Sequence, residues 1–120
     1  MLRLRRKSDI QRGFNQGRRL YSPAVVLHAR RREPGEPLPP LPRLAIIAGR
    51  RFPYAVARNR ARRVLREACR LALAGAPAPW DLILVARPQL LTLSPQARQH
   101  AVADLLGQAG ALAEEAVAVV

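Results

Sequence analysis

The chain has 120 residues, with 21 Lys and Arg against 8 Asp and Glu, which gives a formal net charge of +13. This length allows one compact domain and excludes two of ordinary size, so we expect residues 1–120 to form a single domain. Hydrophobic residues make up 49% of the chain, which excludes a wholly disordered basic tail. A folded domain with this charge predicts a polyanionic partner, and nucleic acid is the partner we expect.

The positive charge is concentrated in the first 70 residues. They hold 19 basic and 4 acidic residues, a net charge of +15, whereas the last 50 hold 2 basic and 4 acidic residues, a net charge of −2. Every basic residue except Lys7 is Arg. Arg pairs with phosphate through two hydrogen bonds and stacks on bases, although a GC-rich genome would also favour Arg over Lys.

Cysteine content and hydropathy indicate the cellular compartment in which we expect the protein. Cys69 is the only cysteine, so the chain forms no internal disulfide and has no cysteine pair for a metal site. No apolar run approaches the roughly 20 residues that span a bilayer, and the first residues lack the apolar core of a signal peptide. We therefore expect a cytoplasmic protein that binds no membrane.

The first elements are predicted as a short helix followed by two strands. Ser8 and Gln11 have the spacing of a capping box, and Gly17 is placed to end the helix. From Leu20 to Arg30 the chain is apolar and β-branched with a proline near its start, which suits a short strand and then a longer one. Residues 33–42 contain five prolines and predict an exposed loop of polyproline type.

The rest of the chain alternates strands and helices. Arg43–Ala48 is predicted as a buried strand that leads into a basic turn, with a helix after Pro53. Trp80–Ala86 is predicted as a core strand because prolines border it on both sides. A last helix is predicted within Ser94–Gly110, followed by a tail over residues 111–120. The order α-β-β-β-α-β-α predicts the α+β class, a two-layer sandwich with a sheet of about four strands packed by helices.

The helix after Pro53 carries the most informative pattern. Over residues 55–73, at about 100° per residue, apolar side chains occupy one side and basic ones the other. The charged arc of about 140° holds Arg58, Asn59, Arg62, Arg63, Arg66 and Arg70. A solvated amphipathic helix is the alternative, but such faces usually mix charges, and Glu67 is the only acid here. The pattern favours a polyanion-binding face, with Asn59 as a reader or organiser of phosphates.

The same helix carries a family resemblance. The run RNRARRVLRE, which starts at Arg58, resembles the arginine-asparagine-arginine signature of the protein component of bacterial ribonuclease P. From Ser8 to about Gly110 the order and spacing of three further segments are similar to that family: SDIQRGFNQGRRLYSP, RLAIIAGRRFPYAVARNR and WDLILVARP.

This resemblance implies a fold with a left-handed β-α-β crossover, against the right-handed default. It also implies a ribonucleoprotein endonuclease that removes the 5′ leader from precursor tRNA, in which the RNA subunit carries out metal-assisted hydrolysis. The expected partners are the catalytic RNA subunit and the leader, with no obligate protein partner. Mg²⁺ would accompany the RNA subunit, while the protein would hold no cofactor and supply no catalytic residue.

By position, the resemblance assigns one set of residues to the RNA subunit: Arg50, Arg51, Arg58, Asn59, Arg60, Arg62, Arg63 and Arg66. A cleft between the first helix and the sheet would hold the single-stranded leader, with Phe14, Arg18, His28 and Tyr54 as candidates.

The sequence departs from the family pattern at three places. Ile10 stands where an aromatic residue is usual, Gly49 lies where the family has a serine-containing stretch, and Pro53-Tyr54 replaces a glycine-containing turn. These departures affect a stacking contact at Ile10 and hydroxyl contacts at Gly49, and Tyr54 could supply a compensating stack.

Other classes of function fit less well. A protein-only nuclease needs clustered carboxylates or a positioned His or Cys, whereas the eight acidic residues are scattered and His28 and His100 lack partners at motif spacing. A membrane-surface helix needs bulky anchors, and the apolar side of the basic helix is rich in Ala. A structural RNA-binding protein, such as a small ribosomal protein, shares the charge, size and layering and is the alternative.

The remaining candidate residues are expected mainly to have packing roles. Of the five aromatic residues, Phe14, Tyr21, Phe52, Tyr54 and Trp80, most are expected in the core. Cys69 is expected to be a small semi-buried filler.

Overall fold

The structure is a computed structural model that describes residues 2–36, 41–74 and 79–111. In chain order its elements are β1 (Leu2–Arg3), α1 (Lys7–Gln16), β2 (Arg18–Tyr21), β3 (Val25–Arg31), β4 (Arg43–Ala48), α2 (Ala55–Ala72), β5 (Trp80–Ala86), a 3₁₀ turn (Pro88–Thr92) and α3 (Pro95–Ala109). The strands predicted at β4 and β5 are confirmed at both ends. The basic helix α2 ends one residue before the predicted Leu73.

The strands form one mixed sheet in the order β1-β4-β5-β3-β2. β5 lies at its centre, antiparallel to β3 with His28 opposite Ile83, and parallel to β4 with Ile46 opposite Leu84. β2 pairs with β3 in an antiparallel hairpin and forms one edge. The chain leaves β4 through α2 and returns as the parallel neighbour β5, which is the β-α-β crossover for which the resemblance implies a left hand.

The two faces of the sheet carry different helices. Side chains along β5 alternate between the faces, so Leu82 and Leu84 join the main core with α2 and α3, whereas Ile83 packs with Ile10 of α1. Burial of one such leucine stabilises the fold by about 1.5–3 kcal/mol. The face under α2 and α3 therefore supplies most of the hydrophobic stabilisation, because it holds most of the buried leucines.

Two glycines let α1 lie close to the sheet. A Cβ at Gly13 would be 2.6 Å from Cδ1 of Ile83, and one at Gly17 would be 2.3 Å from the Gly13 carbonyl oxygen and 3.3 Å from the Ala29 carbonyl oxygen. Distances this short leave no room for a methyl group. The sequence therefore fixes the position of α1 through residues that have no side chain.

The helix ends match the predictions in part. α3 begins as expected, with the Ser94 hydroxyl accepting a hydrogen bond of 3.1 Å from a backbone N–H in the first turn, and it ends at Gly110 with φ of +82°. The capping box at Ser8 is wrong. α1 already includes Ser8, because the Ile10 N–H donates to the Arg6 carbonyl and the helix begins earlier than the prediction has it.

The α+β class is confirmed, with two additions to the predicted order. β1 precedes α1 and pairs with the start of β4, and a strand of two residues has no sequence pattern of its own. α1 covers part of the second face, so the two-layer sandwich has a partial third layer. Parts of the predicted proline-rich loop (37–40) and tail (112–120) lie outside the described residues. No described helix is long and apolar enough to cross a membrane.

Candidate nucleic-acid interface

The exposed side of α2 presents guanidinium groups to solvent. We call its exposed residues Asn59, Arg60, Arg63 and Arg66 the arginine face. The one acidic residue of the helix, Glu67, is paired with Arg70, with 2.5 Å between carboxylate oxygen and guanidinium nitrogen. The arginine face therefore has no acidic partner on its own helix.

Arg58 and Arg62 differ from the arginine face because both are half-buried and bound to backbone. Arg58 Nη1 donates to the Phe52 carbonyl oxygen at 3.0 Å, and Arg62 Nη2 donates to the Ala48 carbonyl oxygen at 3.4 Å. Arg62 Nη1 also donates to Oδ1 of Asn59 at 2.9 Å. These bonds fasten the connection between β4 and α2 and orient Asn59, the residue predicted as an organiser.

The start of α2 adds to the positive potential. Tyr54, the N-cap, makes no side-chain capping bond, and the first turn contains no acidic residue. The helix dipole is positive at this end. Arg50 and Arg51 are exposed in the turn before it, which the buried Phe52 anchors. An anion bound here would relieve repulsion among these charges and would accept hydrogen bonds from the N–H groups that a helix leaves unpaired in its first turn.

The buried side of α2 is rotated relative to the predicted apolar arc. Ala61, Leu65, Ala68 and Cys69 are buried, whereas Leu71, which belongs to that arc, is 43% exposed. Packing is the cause, because α2 contacts both β4 and α3 and buries the side that faces them. Cys69 is fully rather than partly buried, and burial raises the pKa of its thiol to about 12. The thiol stays protonated, so Cys69 is a filler as predicted.

A groove of about 540 Å³ lies at the edge of β4. Arg3 and Arg5 of the N-terminal segment, Ile10 of α1, Ile47 of β4 and Arg66 of the arginine face contribute to its lining. β1 covers only the beginning of β4, so the rest of that edge is open to the groove. The groove has apolar side chains between guanidinium groups, and it connects the arginine face to the α1 side of the sheet.

Two of the four predicted cleft residues meet beside α1. The Phe14 and His28 ring centroids are 4.7 Å apart with planes at 73°, an edge-to-face pair. Phe14 is 36% exposed, and Nδ1 of His28 is buried with no hydrogen-bond partner in the described structure. Burial, and after it the charge of Arg19, lowers the pKa of His28. The imidazole is therefore neutral at pH 7 and has an unused polar atom.

The other two predicted cleft residues lie elsewhere. Arg18 is on the opposite face, where its Nη1 donates to a backbone carbonyl oxygen of α3 at 3.2 Å. Its neighbour Arg19 lies opposite His28 instead. Adjacent strand residues point to opposite faces, so an error of one residue changes the face. Tyr54 is 72% exposed at the start of α2, and no ring contact or hydrogen bond among described residues joins it to Phe14.

A buried ion cluster that the sequence analysis missed lies where β5 begins. Asp81 is 1% exposed and accepts hydrogen bonds from Arg30, Arg32 and Arg43 at 3.1, 2.8 and 2.7 Å. Arg30 also pairs with Glu36 of the proline-rich loop at 3.1 Å. Burial opposes ionisation of Asp81, but the hydrogen bonds from Arg43 and Arg32 outweigh it and lower the pKa of the carboxyl group. The partners are too distant in sequence to form a local motif.

The ribonuclease P family model matches residues 1–110 of the chain. The chain belongs to the ribonuclease P protein family. The ribonuclease P protein component of Symbiobacterium thermophilum is 35% identical over 114 residues, which cover 94% of this chain and 95% of that protein. The ribonuclease P protein component of Chloroflexus aurantiacus is 36% identical over 111 residues, which cover 89% of this chain and 76% of that protein.

Solved ribonuclease P proteins share the fold. The Staphylococcus aureus protein superposes with a TM-score of 0.78 at 20% identity, covering 94% of this chain and 99% of that one. The Thermotoga maritima protein gives a TM-score of 0.74 at 24% identity, covering 90% and 97%. At these identities the likeness concerns the fold, and it confirms the predicted α+β class.

The surface of this ribonuclease P family member offers two kinds of contact. Guanidinium groups of the arginine face and the groove suit phosphate, and the partly exposed Phe14 ring suits an unpaired base. Within residues 2–36, 41–74 and 79–111, no group of three or more His, Cys, Asp and Glu side chains is placed to hold a metal ion. The arrangement is suited to a ligand that offers both phosphate groups and unpaired bases.

Proposed function

We propose that the chain is the protein subunit of ribonuclease P, the ribonucleoprotein endonuclease that removes the 5′ leader from precursor tRNA. The arginine face binds the catalytic RNA subunit, and the cleft beside α1 holds the single-stranded leader. The observation that carries the proposal is the groove at the edge of β4, which joins Arg66 on the arginine face to Ile10 on α1. The proposal implies a cytoplasmic protein with no obligate protein partner.

The charge distribution supports binding to a structured RNA. Arg60, Arg63 and Arg66 are exposed without an acidic partner on their helix, while Arg58 and Arg62 hold further positive charge at its start. Phosphates that approach this surface form charge-assisted hydrogen bonds and release counterions, so affinity falls as salt rises.

The cleft supports binding to an unpaired strand. An exposed aromatic ring stacks on any base, which is worth about 1–3 kcal/mol per base and needs no particular sequence. His28 packs edge to face on Phe14, with ring centroids 4.7 Å apart, and so holds the Phe14 ring in position for stacking. Phe14 and His28 together therefore suit leaders of varied sequence.

The RNA subunit supplies catalysis in this proposal. The described residues provide no cluster of carboxylates for Mg²⁺, so they do not fit a metal site of their own. What the protein contributes is positive charge placed between two polyanions, the RNA subunit and the leader. This charge lowers their mutual repulsion and so reduces the Mg²⁺ concentration that cleavage requires.

The test is cleavage of a leader-bearing precursor tRNA by a bacterial ribonuclease P RNA at low Mg²⁺, with and without the protein. We expect the protein to stimulate cleavage at the mature 5′ end, and the double variant Arg63→Gln/Arg66→Gln to require more protein for the same rate. The matched control is Arg70→Gln, because Arg70 is already paired with Glu67. Tight binding to the RNA without stimulation would favour a structural RNA-binding protein and overturn the proposal.

A further inference from the structure

Three residues that the sequence analysis did not assign meet at the β2 edge of the sheet. Tyr21 of β2 is 55% exposed. Phe14 and Tyr54 are exposed as well, so the expectation that most of the five aromatic residues lie in the core is wrong. The Cζ atoms of Arg19 and Arg87 lie 5.8 and 5.3 Å from the centroid of the Tyr21 ring. One exposed aromatic ring therefore has two guanidinium groups beside it.

These two arginines have no anionic partner in the described structure. The ion pairs of the described residues involve other arginines, and neither the Arg19 nor the Arg87 guanidinium group donates a hydrogen bond to a protein acceptor there. Two like charges beside one ring repel each other. An anion between them would relieve that repulsion and use their free N–H groups.

The position of this cluster continues the cleft. Arg19 of β2 lies opposite His28 of β3, and His28 contacts Phe14. Arg19 and Tyr21 therefore lie one strand farther towards the edge of the sheet than the predicted leader site. The groove that includes Arg66 lies at β4, towards the edge of the sheet opposite β2. A strand that is held at Phe14 and His28 and continues towards the β2 edge would thus leave the protein over Tyr21.

We propose that Arg19, Tyr21 and Arg87 form an outer nucleotide site, which binds leader nucleotides farther from the cleavage point than those at Phe14 and His28. The guanidinium groups bind backbone phosphate, and the Tyr21 ring stacks on an unpaired base. Stacking on one ring recognises no particular base, so the site favours longer leaders whatever their sequence. This inference rests on the proposed function.

The test uses the reconstituted holoenzyme and precursor tRNAs whose leaders are lengthened one nucleotide at a time. For wild type we expect affinity to rise with leader length until the outer site is filled. Tyr21→Leu should match wild type on short leaders and bind long leaders about 5- to 150-fold more weakly. Tyr21→Phe keeps the ring and should restore the affinity. Arg19→Gln should also lose affinity on long leaders only.

Arg18→Gln is the matched control, because it removes the same charge from the same strand on the opposite face. We expect it to follow the wild-type curve at every leader length. A Tyr21→Leu variant with wild-type affinity for long leaders would overturn the outer site. An equal loss of affinity at all leader lengths would also overturn it, as would a Tyr21→Phe variant that binds as weakly as Tyr21→Leu. If the affinity of the wild-type holoenzyme did not change with leader length, the leader-binding part of the proposed function would be overturned as well.

Discussion

The Arg43 guanidinium group binds the buried Asp81 carboxylate through two hydrogen bonds, of 2.8 Å from Nε and 2.7 Å from Nη2. The two residues are opposite each other in the parallel pair of β4 and β5. Arg30 and Arg32 bind the same carboxylate from the end of β3. One acidic side chain therefore ties three neighbouring strands together, at the end of the sheet from which the proline-rich loop leaves.

Replacing Asp81 should destabilise the fold strongly. Asp81→Asn leaves three buried arginines around a neutral amide, and removal of one partner from a buried ion pair costs about 3–5 kcal/mol. Urea unfolding at pH 7 measures the loss. Asp104→Asn, at an exposed position of α3, is the matched control and should change the free energy of unfolding by less than about 0.5 kcal/mol. Equal losses in the two variants would contradict the role of the cluster.

Low pH should destabilise the protein by protonating the Asp81 carboxylate. The pKa of Asp81 is lower in the folded protein than in the unfolded chain, so its stabilisation is present above about pH 4 and is lost as the pH falls through the folded value. We expect the free energy of unfolding of wild type to fall more steeply below pH 4 than that of Asp81→Asn. Urea unfolding at a series of pH values gives the free energy of unfolding of both proteins. The same pH dependence in wild type and Asp81→Asn would contradict the role of Asp81 in acid unfolding.

Gly17 should tolerate no side chain. A Cβ there would lie 2.3 Å from a backbone oxygen, which cannot move aside as the end of a side chain can. We expect Gly17→Ala to destabilise the protein by about 1–3 kcal/mol, in line with overpacked sites. Gly49→Ala is the control, since a Cβ at Gly49 meets nothing within 4 Å. Thermal unfolding of the two variants compares them, and a Gly49→Ala loss as large as that of Gly17→Ala would refute the steric argument.

The sequence predicted the elements whose signals are local. The Arg-rich pattern located α2, and the apolar run between prolines located β5 at Trp80–Ala86. The arginine face also followed from the sequence, apart from the rotation that buries Cys69 and exposes Leu71. That rotation depends on how α2 packs against β4 and α3, which helical periodicity does not contain.

The sequence could not reveal features that depend on pairing between distant segments. The side of the sheet that Arg18 faces follows from the register of β2 on β3, and one residue of error exchanged it with Arg19. Asp81 gathers arginines from β3 and β4 that no local motif links to it. Arg87 follows β5 and lies beside the ring of Tyr21 in β2, and no sequence pattern links these two segments.

Arg63 and Arg66 of the arginine face should contribute to RNA binding without supporting the fold. For Arg63→Gln/Arg66→Gln we expect the log–log salt slope of binding to ribonuclease P RNA to shrink by about 2, one unit per lost phosphate contact, with an unchanged melting temperature. Arg58→Gln should lower the melting temperature as well, because Arg58 binds the Phe52 carbonyl. Filter binding across a salt series, with Arg70→Gln as control, measures the slopes. Equal slopes for wild type and the double variant would argue against the arginine face.

His28 should titrate below the ordinary histidine value of 6.5, because burial and the nearby Arg19 charge both disfavour its protonated form. Arg19→Gln removes the second cause and should raise the pKa of His28. Arg18→Gln should leave it unchanged, since Arg18 faces α3. An NMR pH titration of the imidazole protons follows each variant. A shift of the same size in both variants would mean that the faces of β2 are assigned wrongly.

The most direct test of the central claim, that separate surfaces bind the RNA subunit and the leader, compares the affinity of the assembled holoenzyme for leader-bearing precursor tRNA and for mature tRNA. We expect Phe14→Ala to weaken binding of the precursor by about 1–3 kcal/mol and to leave mature tRNA unchanged. Arg63→Gln/Arg66→Gln should instead weaken assembly with the RNA subunit and keep the preference for the precursor once assembled. A Phe14→Ala variant that binds both tRNAs more weakly by the same factor would contradict the account.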